Sequence, residues 1–197
     1  MTPPKAAWLI MAALVAVVLV PAAPVLLRLD ARAAAARQDY ADARFLRTLG
    51  ALARFDNAPL SEAQEVIYDD RNGVARPAVY LPLRRGGEPA GAAVRLVSEP
   101  GYNGPIELLV AIDAAGSVEA VVPLSHIETN GFGDAIEPAN SDWLQAFRGA
   151  TLAAGRSSDW QLRASGGRYD AISGATVTSR AVVGGVRAAL EVAADAR

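Results

Sequence analysis

The sequence contains no cysteine, which excludes disulfides, thiolate nucleophiles, iron–sulfur clusters and cysteine-based zinc sites. It contains one histidine, His126, so a metal site built from several histidines of one chain is excluded as well. The formal net charge is -2, and no basic field is present to attract nucleic acid. Because side chains with redox chemistry of their own are missing, any redox function requires a bound organic cofactor.

A long uncharged run lies near the start of the sequence. No charged residue occurs in 6–27, and a helix of this length crosses a hydrocarbon core of about 30 Å. A cleaved signal peptide is the alternative, although its apolar region is usually only about 7–15 residues long. The segment 30–53 is rich in alanine and arginine, contains no proline and is typical of a helix. We therefore expect a transmembrane anchor over 1–28, a helical stalk over 29–56 and one globular domain over 57–197.

Short apolar segments separated by turn signals predict an antiparallel sheet in the globular domain. The clearest pair, 106–113 and 117–124, is expected to form a hairpin at the heart of the sheet, with Pro123 ending the regular pairing. Three earlier strands are expected around 66–68, 79–83 and 90–97. A short capped helix is expected over 141–147, and a longer helix from about residue 181. The predicted fold class is α+β, with helices packed on a twisted antiparallel sheet.

The stretch 170–180 places four hydroxyl residues and a glycine on a turn directly before the last predicted helix. A helix N-terminus leaves backbone N–H groups without partners and carries the positive end of the helix dipole, so it is suited to bind phosphate. Thr176 is placed to meet such a phosphate or to be bonded to one. Taken alone, the residues favour the alternative in which Ser173, Thr176 and Thr178 cap the helix.

Two glycine-containing loops, 99–105 and 125–134, flank the predicted hairpin. Either loop taken alone is typical of a turn, but Tyr102 is also a candidate to contact a planar ring. Glu128 is a candidate to bind the edge or the ribityl chain of a flavin. For His126 we favour a structural hydrogen bond, because a hydrolase that uses Ser125 and His126 lacks a placed acid. One flavin mononucleotide (FMN), with a phosphate and a ring, accounts for all three stretches.

These stretches resemble a known family. The stretch 173–179 (SGATVTS) resembles the flavinylation motif of FMN-binding domains, and 125–134 (SHIETNGFGD) resembles a signature of the G subunit of Rnf-type ion-translocating electron transport complexes. The segment 101–106 and the pair Asp142–Trp143 are similar to the same family. The related C subunit of the sodium-pumping NADH:quinone reductase shares the motif and is the alternative. The second loop departs from the family's pattern at Asn130 and Phe132, where proline and leucine are usual.

The resemblance implies that Thr176 carries FMN through a phosphoester bond, which a separate flavin transferase makes. It implies no catalytic residue and no metal, since the flavin acts as a relay within a complex that passes electrons between ferredoxin and NAD and couples this to sodium or proton movement. The remaining residues of the implied flavin site are Ser173, Gly174, Ala175, Thr178, Tyr102, Glu128, Thr129, Gly131 and Phe132.

The resemblance also implies a location and partners. The protein is expected to cross the bacterial inner membrane once, in contact with lipid and with other subunits of the complex, with its domain on the periplasmic side. The positive-inside rule favours the cytoplasmic side, because Arg28, Arg32 and Arg37 follow the uncharged run; we follow the resemblance. A membrane-anchored assembly module without redox work is the alternative from another functional class.

Overall fold

The computed structural model of the protein describes residues 34–152 and 159–196. The predicted membrane anchor lies outside these residues, and within them no helix is both long and apolar enough to span a bilayer. Helix α1 runs over 34–52, in agreement with the described part of the helix predicted for 30–53. The chain divides into two compact units, Met1–Arg47 and Thr48–Arg197. The domain boundaries expected after residues 28 and 56 remain predictions.

The second unit contains a five-stranded antiparallel sheet in which the strands follow one another in chain order. Each strand pairs with the next one along the chain, so that successive hairpins build the whole sheet. This arrangement confirms the antiparallel sheet of the predicted α+β fold. The strands are β1 (Gln64–Asp69), β2 (Ala75–Arg85), β3 (Glu88–Val97), β4 (Glu107–Asp113) and β5 (Val118–Ser125).

The predicted hairpin is present as β4 and β5, but its expected position at the heart of the sheet is wrong. Strand β3 is central, and β5 pairs with β4 alone among the described strands. The start of β5 instead exchanges backbone hydrogen bonds with a loop, since Val118 N–H donates to Ala150 O and Gly149 N–H donates to Val118 O. Pro123 ends the regular pairing, as expected. Because proline has no N–H, the register shifts between Leu108 and Glu107, and pairing resumes at Ser125.

Helix α2 (Thr176–Asp195) packs mainly on β3 and β4 and closes the core on one face of the sheet. Two adjacent glycines in the middle of α2 allow a close approach. A methyl group at Gly185 would lie 2.8 Å from Leu108 Cδ1, and one at Gly184 would lie 2.9 Å from Glu99 Oε1. The buried side chains of α2 that share this core include Val182, Val183, Val186, Ala189, Leu190 and Val192.

Among the described residues between β5 and α2, short 3₁₀ helices lie at Gly133–Ile136, Trp143–Phe147 and Arg163–Ser165. The second of them takes the place of the short helix predicted for 141–147. The expected side-chain cap is absent, because the N-cap residue is Asp142 and its side chain makes no cap hydrogen bond. Ser141 Oγ, one residue earlier, accepts a hydrogen bond of 3.2 Å from Trp143 N–H. This segment carries the chain from the outer edge of β5 back to the start of α2.

Replacing Gly91 with alanine is expected to destabilise the domain by about 2 kcal/mol or more, because strain and overpacking add at this position. Gly91 lies in β3 with φ at 141°, and a methyl group there would lie 2.2 Å from the Ile112 carbonyl oxygen. Urea unfolding followed by circular dichroism measures the change. The matched control is Gly50→Ala in α1, where the added methyl group meets nothing within 4 Å beyond the neighbouring residues and backbone of its own helix. Equal midpoints for the two variants would contradict this geometry.

Candidate functional site

The sheet brings two of the predicted site loops to the same end. Strand β3 ends at Val97, β4 begins at Glu107 and β5 ends at Ser125, and the register places these three residues side by side. The first site loop, 99–105, connects β3 with β4, and the second, 125–134, continues from β5. The antiparallel hairpins therefore make the two loops neighbours, although they are separated along the chain by the whole of β4 and β5.

Glu128 connects these two loops with the start of α2. Its carboxylate is buried, and it accepts hydrogen bonds from Tyr102 N–H at 3.2 Å and from Asn103 N–H at 3.0 Å. It also accepts a hydrogen bond from the hydroxyl of Thr178, which lies in the first turn of α2. We refer to Glu128 and these three donors as the Glu128 cluster. Its carboxylate, which we expected to face a flavin, is engaged by groups of the protein itself.

Glycines make room for the Glu128 carboxylate. A methyl group at Gly101 would lie 2.6 Å from Glu128 Oε1, and one at Gly133 would lie 2.9 Å from Glu128 Oε2. The side chain of Asn103 adds a second link between the two loops, because Nδ2 donates to Ile127 O at 2.9 Å and to Thr129 Oγ1 at 3.0 Å. The glycines of these loops thus serve close packing around a buried charge.

The turn before α2 is held by Ser179, a residue that the sequence did not single out. Ser179 Oγ accepts from Ile172 N–H and donates to Ala175 O, both at 2.9 Å. The capping expected from Ser173 and Thr178 is wrong, because the N-cap residue is Ala175 and no side chain caps the helix. The physical reason is a tight turn closed by Ala175 N–H and Ile172 O, with Gly174 at φ 76°. The helix starts directly after this turn at Thr176, about five residues before the start predicted near residue 181.

The N-terminus of α2 offers unpaired donors. The backbone N–H groups of Thr176, Val177 and Thr178 meet no acceptor in the part of the chain that the structure describes. Thr176 and Val177 are exposed, and Thr176 is the first residue of the helix. Three free N–H groups and the positive end of the dipole of a 20-residue helix form a site for an anion. Thr176 therefore stands, exposed, at the end of the helix that suits an anion.

Large apolar side chains are exposed around the same helix end. Tyr102 is 73% exposed and Phe132 is 54% exposed, and the aliphatic side chains of Ile127 and Val177 are exposed as well. The ring of Phe132 lies against the turn, since a methyl group at Gly174 would lie 2.7 Å from Phe132 Cδ1. Isolated exposed apolar residues are ordinary, but several in three adjoining loops indicate a surface that an apolar group covers.

The polar residues of the second loop lie between these apolar side chains. Thr129, Asn130 and Gly131 belong to this stretch, and all three are exposed. Gly131 has φ at 78°, a value that a residue with a side chain rarely adopts. Ser173 and Gly174 are exposed in the third loop, whereas Ala175 is buried. The exposed residues of the predicted flavin site therefore lie mainly in the second and third loops, which adjoin Thr176. The first loop contributes Tyr102.

His126 has the structural role that the sequence favoured. Its Nδ1 accepts a hydrogen bond of 3.2 Å from Glu128 N–H, so the neutral ring carries its proton on Nε2. Nε2 lies 2.9 Å from Glu137 Oε1 and donates to it. Both ring nitrogens are thus occupied by groups other than Ser125, which leaves the hydrolase interpretation without a base. His126 instead orients the backbone that leads into Glu128.

An aromatic cluster supports the segment that leads into the threonine motif. Phe147 is fully buried and stacks on Tyr169 with ring centroids 4.7 Å apart, and Trp143 meets the edge of Phe147 at 5.4 Å. Trp160 lies 5.5 Å from Tyr169. Burial raises the pKa of the Tyr169 phenol, although the nearby Arg168 acts to lower it. The cluster was missed from the sequence because its members come from separate segments, and only aromatic content signals it.

Asp170, the first residue of the motif, is anchored from two sides. Trp143 Nε1 donates to the Asp170 carbonyl oxygen at 2.8 Å. Arg163 Nε and Nη2 donate to the two carboxylate oxygens of Asp170 at 2.7 and 3.2 Å. The pair Asp142–Trp143, noted in the sequence only through a resemblance, therefore contributes its tryptophan as a support of the motif.

The candidate site lies within a part of the chain that matches a known protein family. The model of the family described as FMN-binding domain matches residues 101–191. This range includes the Glu128 cluster, the free N–H groups of α2 and the aromatic cluster. It omits β1, β2 and β3, on which α2 also packs.

Curated relatives cover a longer part of the chain. The G subunit of an ion-translocating oxidoreductase complex from Vibrio cholerae is 38% identical over 138 residues, which is 70% of this chain and 66% of the relative. The protein of the same name from Stutzerimonas stutzeri is 42% identical over 146 residues, or 74% of this chain and 62% of the relative. The chain thus spans slightly less than two thirds of the length of these relatives.

Proposed function

Because the chain belongs to the family of FMN-binding domains that includes the G subunits of ion-translocating oxidoreductase complexes, we propose that it is an electron-transfer subunit of such a complex. FMN supplies the redox chemistry when it is bound, and the protein holds the cofactor and sets its surroundings. The proposal includes covalent attachment of FMN to Thr176 Oγ1 through a phosphoester.

The observation that carries this proposal is the free N-terminus of α2 beside an exposed threonine. The unpaired N–H groups of Thr176, Val177 and Thr178 suit the phosphate of FMN, which is an anion. The exposed side chains of Tyr102 and Phe132 suit its planar ring, because aromatic contacts of this kind contribute about 0.5–1.5 kcal/mol. The residues present therefore fit both parts of the cofactor.

Each residue of the site has a distinct task in this proposal. Val177 and Ile127 offer aliphatic surface to the flavin, and Thr129 offers a hydroxyl. Gly131 and Gly174 permit the backbone turns that bring the second and third loops together. Ala175 is buried beneath the turn, while Ser173 lies exposed at its surface. Glu128 acts from beneath, through the donors that it binds.

The proposal extends to location and partners. The uncharged run at 6–27 anchors the protein in the bacterial inner membrane, and the domain lies on the periplasmic side. Other subunits of the complex exchange electrons with the flavin, and a flavin transferase attaches it. The alternative from the same superfamily is a C-type subunit of a sodium-pumping NADH:quinone reductase. A non-redox assembly module is less consistent with free N–H groups and exposed aromatic rings at one place.

The test of this proposal is covalent flavin on the full chain. We expect the protein, co-expressed with a flavin transferase, to show yellow-green fluorescence in a denaturing gel and a mass increase of one FMN less one water. Chain expressed without the transferase is the control and remains dark. A dark band from the co-expressed chain would contradict the proposal, provided that the same transferase labels an established substrate protein in a parallel co-expression.

A further inference from the structure

We infer that Glu128 is a positioning residue for flavin attachment, which fixes the start of α2 to the two sheet loops so that Thr176 is presented with its neighbouring N–H groups free. The inference rests on the proposed attachment at Thr176. Glu128 is 7% exposed, and its hydrogen bonds reach residues 26, 25 and 50 positions away along the chain. No other buried carboxylate among the described residues joins all three site loops.

The chemistry of the donors requires an acceptor with two oxygens. Tyr102 and Asn103 offer backbone N–H groups, which can only donate, and these approach different carboxylate oxygens. A carboxylate accepts at both positions, whereas an amide of the same shape accepts at one and donates at the other. Glutamine at this position therefore leaves one N–H facing an NH₂ group, in a buried setting where an unpaired polar group is costly.

The third hydrogen bond decides what happens at α2. Glu128 accepts a hydrogen bond from the hydroxyl of Thr178 and none from a backbone N–H group of the helix. The carboxylate thus holds the first turn of α2 by a side chain and leaves the N–H groups of Thr176 and Val177 available to an incoming phosphate. An acidic side chain bound directly to those N–H groups, as in an ordinary cap, would occupy the anion site.

Close packing restricts Glu128 to this arrangement. Methyl groups at Gly101 and Gly133 would lie 2.6 Å from its Oε1 and 2.8 Å from its Cβ, so the carboxylate fills the space between the two loops. A methyl group at Gly133 would also lie 3.1 Å from Thr178 Oγ1. Because the side chain has no room to turn away, loss of one of its hydrogen bonds shifts the loops themselves.

The experiment compares Glu128→Gln and Thr178→Val with Glu119→Gln, a carboxamide control at an exposed position of β5. Amide hydrogen exchange is measured on the flavin-free full chain in detergent. The reporting amides are those of Asn103, Ala175 and Ser179, of which the last two close the turn before α2. We expect E128Q to accelerate all three about tenfold or more, as loss of a hydrogen bond to a charged group does, and to leave the amides of β4 unchanged.

Thr178→Val separates positioning from general loosening. It removes only the link to α2, so Ala175 and Ser179 are expected to exchange faster while Asn103 stays protected by Glu128. The rate of fluorescent labelling by the transferase is then measured for each variant. We expect it to fall about tenfold or more in E128Q and less in T178V, and to equal the wild-type rate in E119Q.

Two results would overturn the inference. One is an amide exchange rate at Ala175 and Ser179 in E128Q that equals the wild-type rate, which would show that Glu128 stabilises the two sheet loops but not the start of α2. The other is a wild-type rate of labelling in E128Q. If the unaltered chain accepts no flavin at all, the proposed function fails by itself, and the exchange data still decide whether Glu128 positions the start of α2.

Discussion

Replacing Thr176 with valine is expected to abolish covalent flavin attachment. Valine keeps the shape of threonine but lacks the hydroxyl that forms the phosphoester, and the labelled fraction should therefore fall from most of the protein to none that a fluorescent gel detects. Thr176 is exposed at the first position of α2, and a surface change of this kind alters stability by no more than about 0.5 kcal/mol. Intact mass measurement gives a second readout of the same result.

Two further variants make the result specific to Thr176. Thr176→Ser restores a hydroxyl at the same position and is expected to regain labelling. Ser165→Ala removes an exposed hydroxyl outside the predicted flavin site and is expected to label normally. Equal labelling of T176V and the unaltered chain would contradict the assignment, and peptide mapping would then identify the residue that carries the flavin.

Replacing Phe147 with alanine is expected to destabilise the domain by about 3–5 kcal/mol, which is the usual cost of removing a fully buried phenylalanine. Phe147 has no exposed surface, and its ring contacts both Trp143 and Tyr169. Since the domain as a whole is stabilised by only about 5–15 kcal/mol, a large fraction of that stability is lost. Urea unfolding measures the change as a shift of the midpoint.

Phe132 provides the matched control, because it is the same residue type in an exposed position. Phe132→Ala is expected to change stability by no more than about 0.5 kcal/mol. We expect Phe132→Ala to change the fluorescence of the attached flavin instead. Equal losses of stability in F147A and F132A would contradict the distinction between a buried aromatic support and an exposed ring that we propose to contact the flavin.

The elements of the fold were predictable where local pattern decides them. The strands and α2 follow from apolar runs of the right length, and their antiparallel pairing follows from short turns between them. The position of β5 at the edge was not predicted, because apolar content does not distinguish a central strand from an edge strand. Its exposed Glu119 and its Pro123 are the signals that favour an edge.

The three stretches that form the site were predictable from the sequence, but the hydrogen bonds that join them were not. Glu128 and Thr178 are 50 residues apart, and no local pattern connects them. Ser179, and not Ser173, holds the turn before α2 by hydrogen bonds. Which of the two serines does so depends on where the helix starts, and the left-handed backbone of Gly174 decides that start. Composition gives the same weight to every hydroxyl in the motif, so only the backbone geometry of the turn separates their roles.

The order of the elements along the chain makes the start of α2, where we propose that the flavin is attached, a late product of folding. Each strand pairs with its sequence neighbour, and the sheet is complete by Ser125. Helix α2 begins at Thr176 and must find β3 and β4 across a long separation, which is a slower event than closing hairpins. The threonine is therefore displayed only on a chain whose core has closed. Under the proposed attachment, a flavin transferase that recognises the folded start of α2 would modify folded chains only, and a bound flavin would then report that the domain has folded.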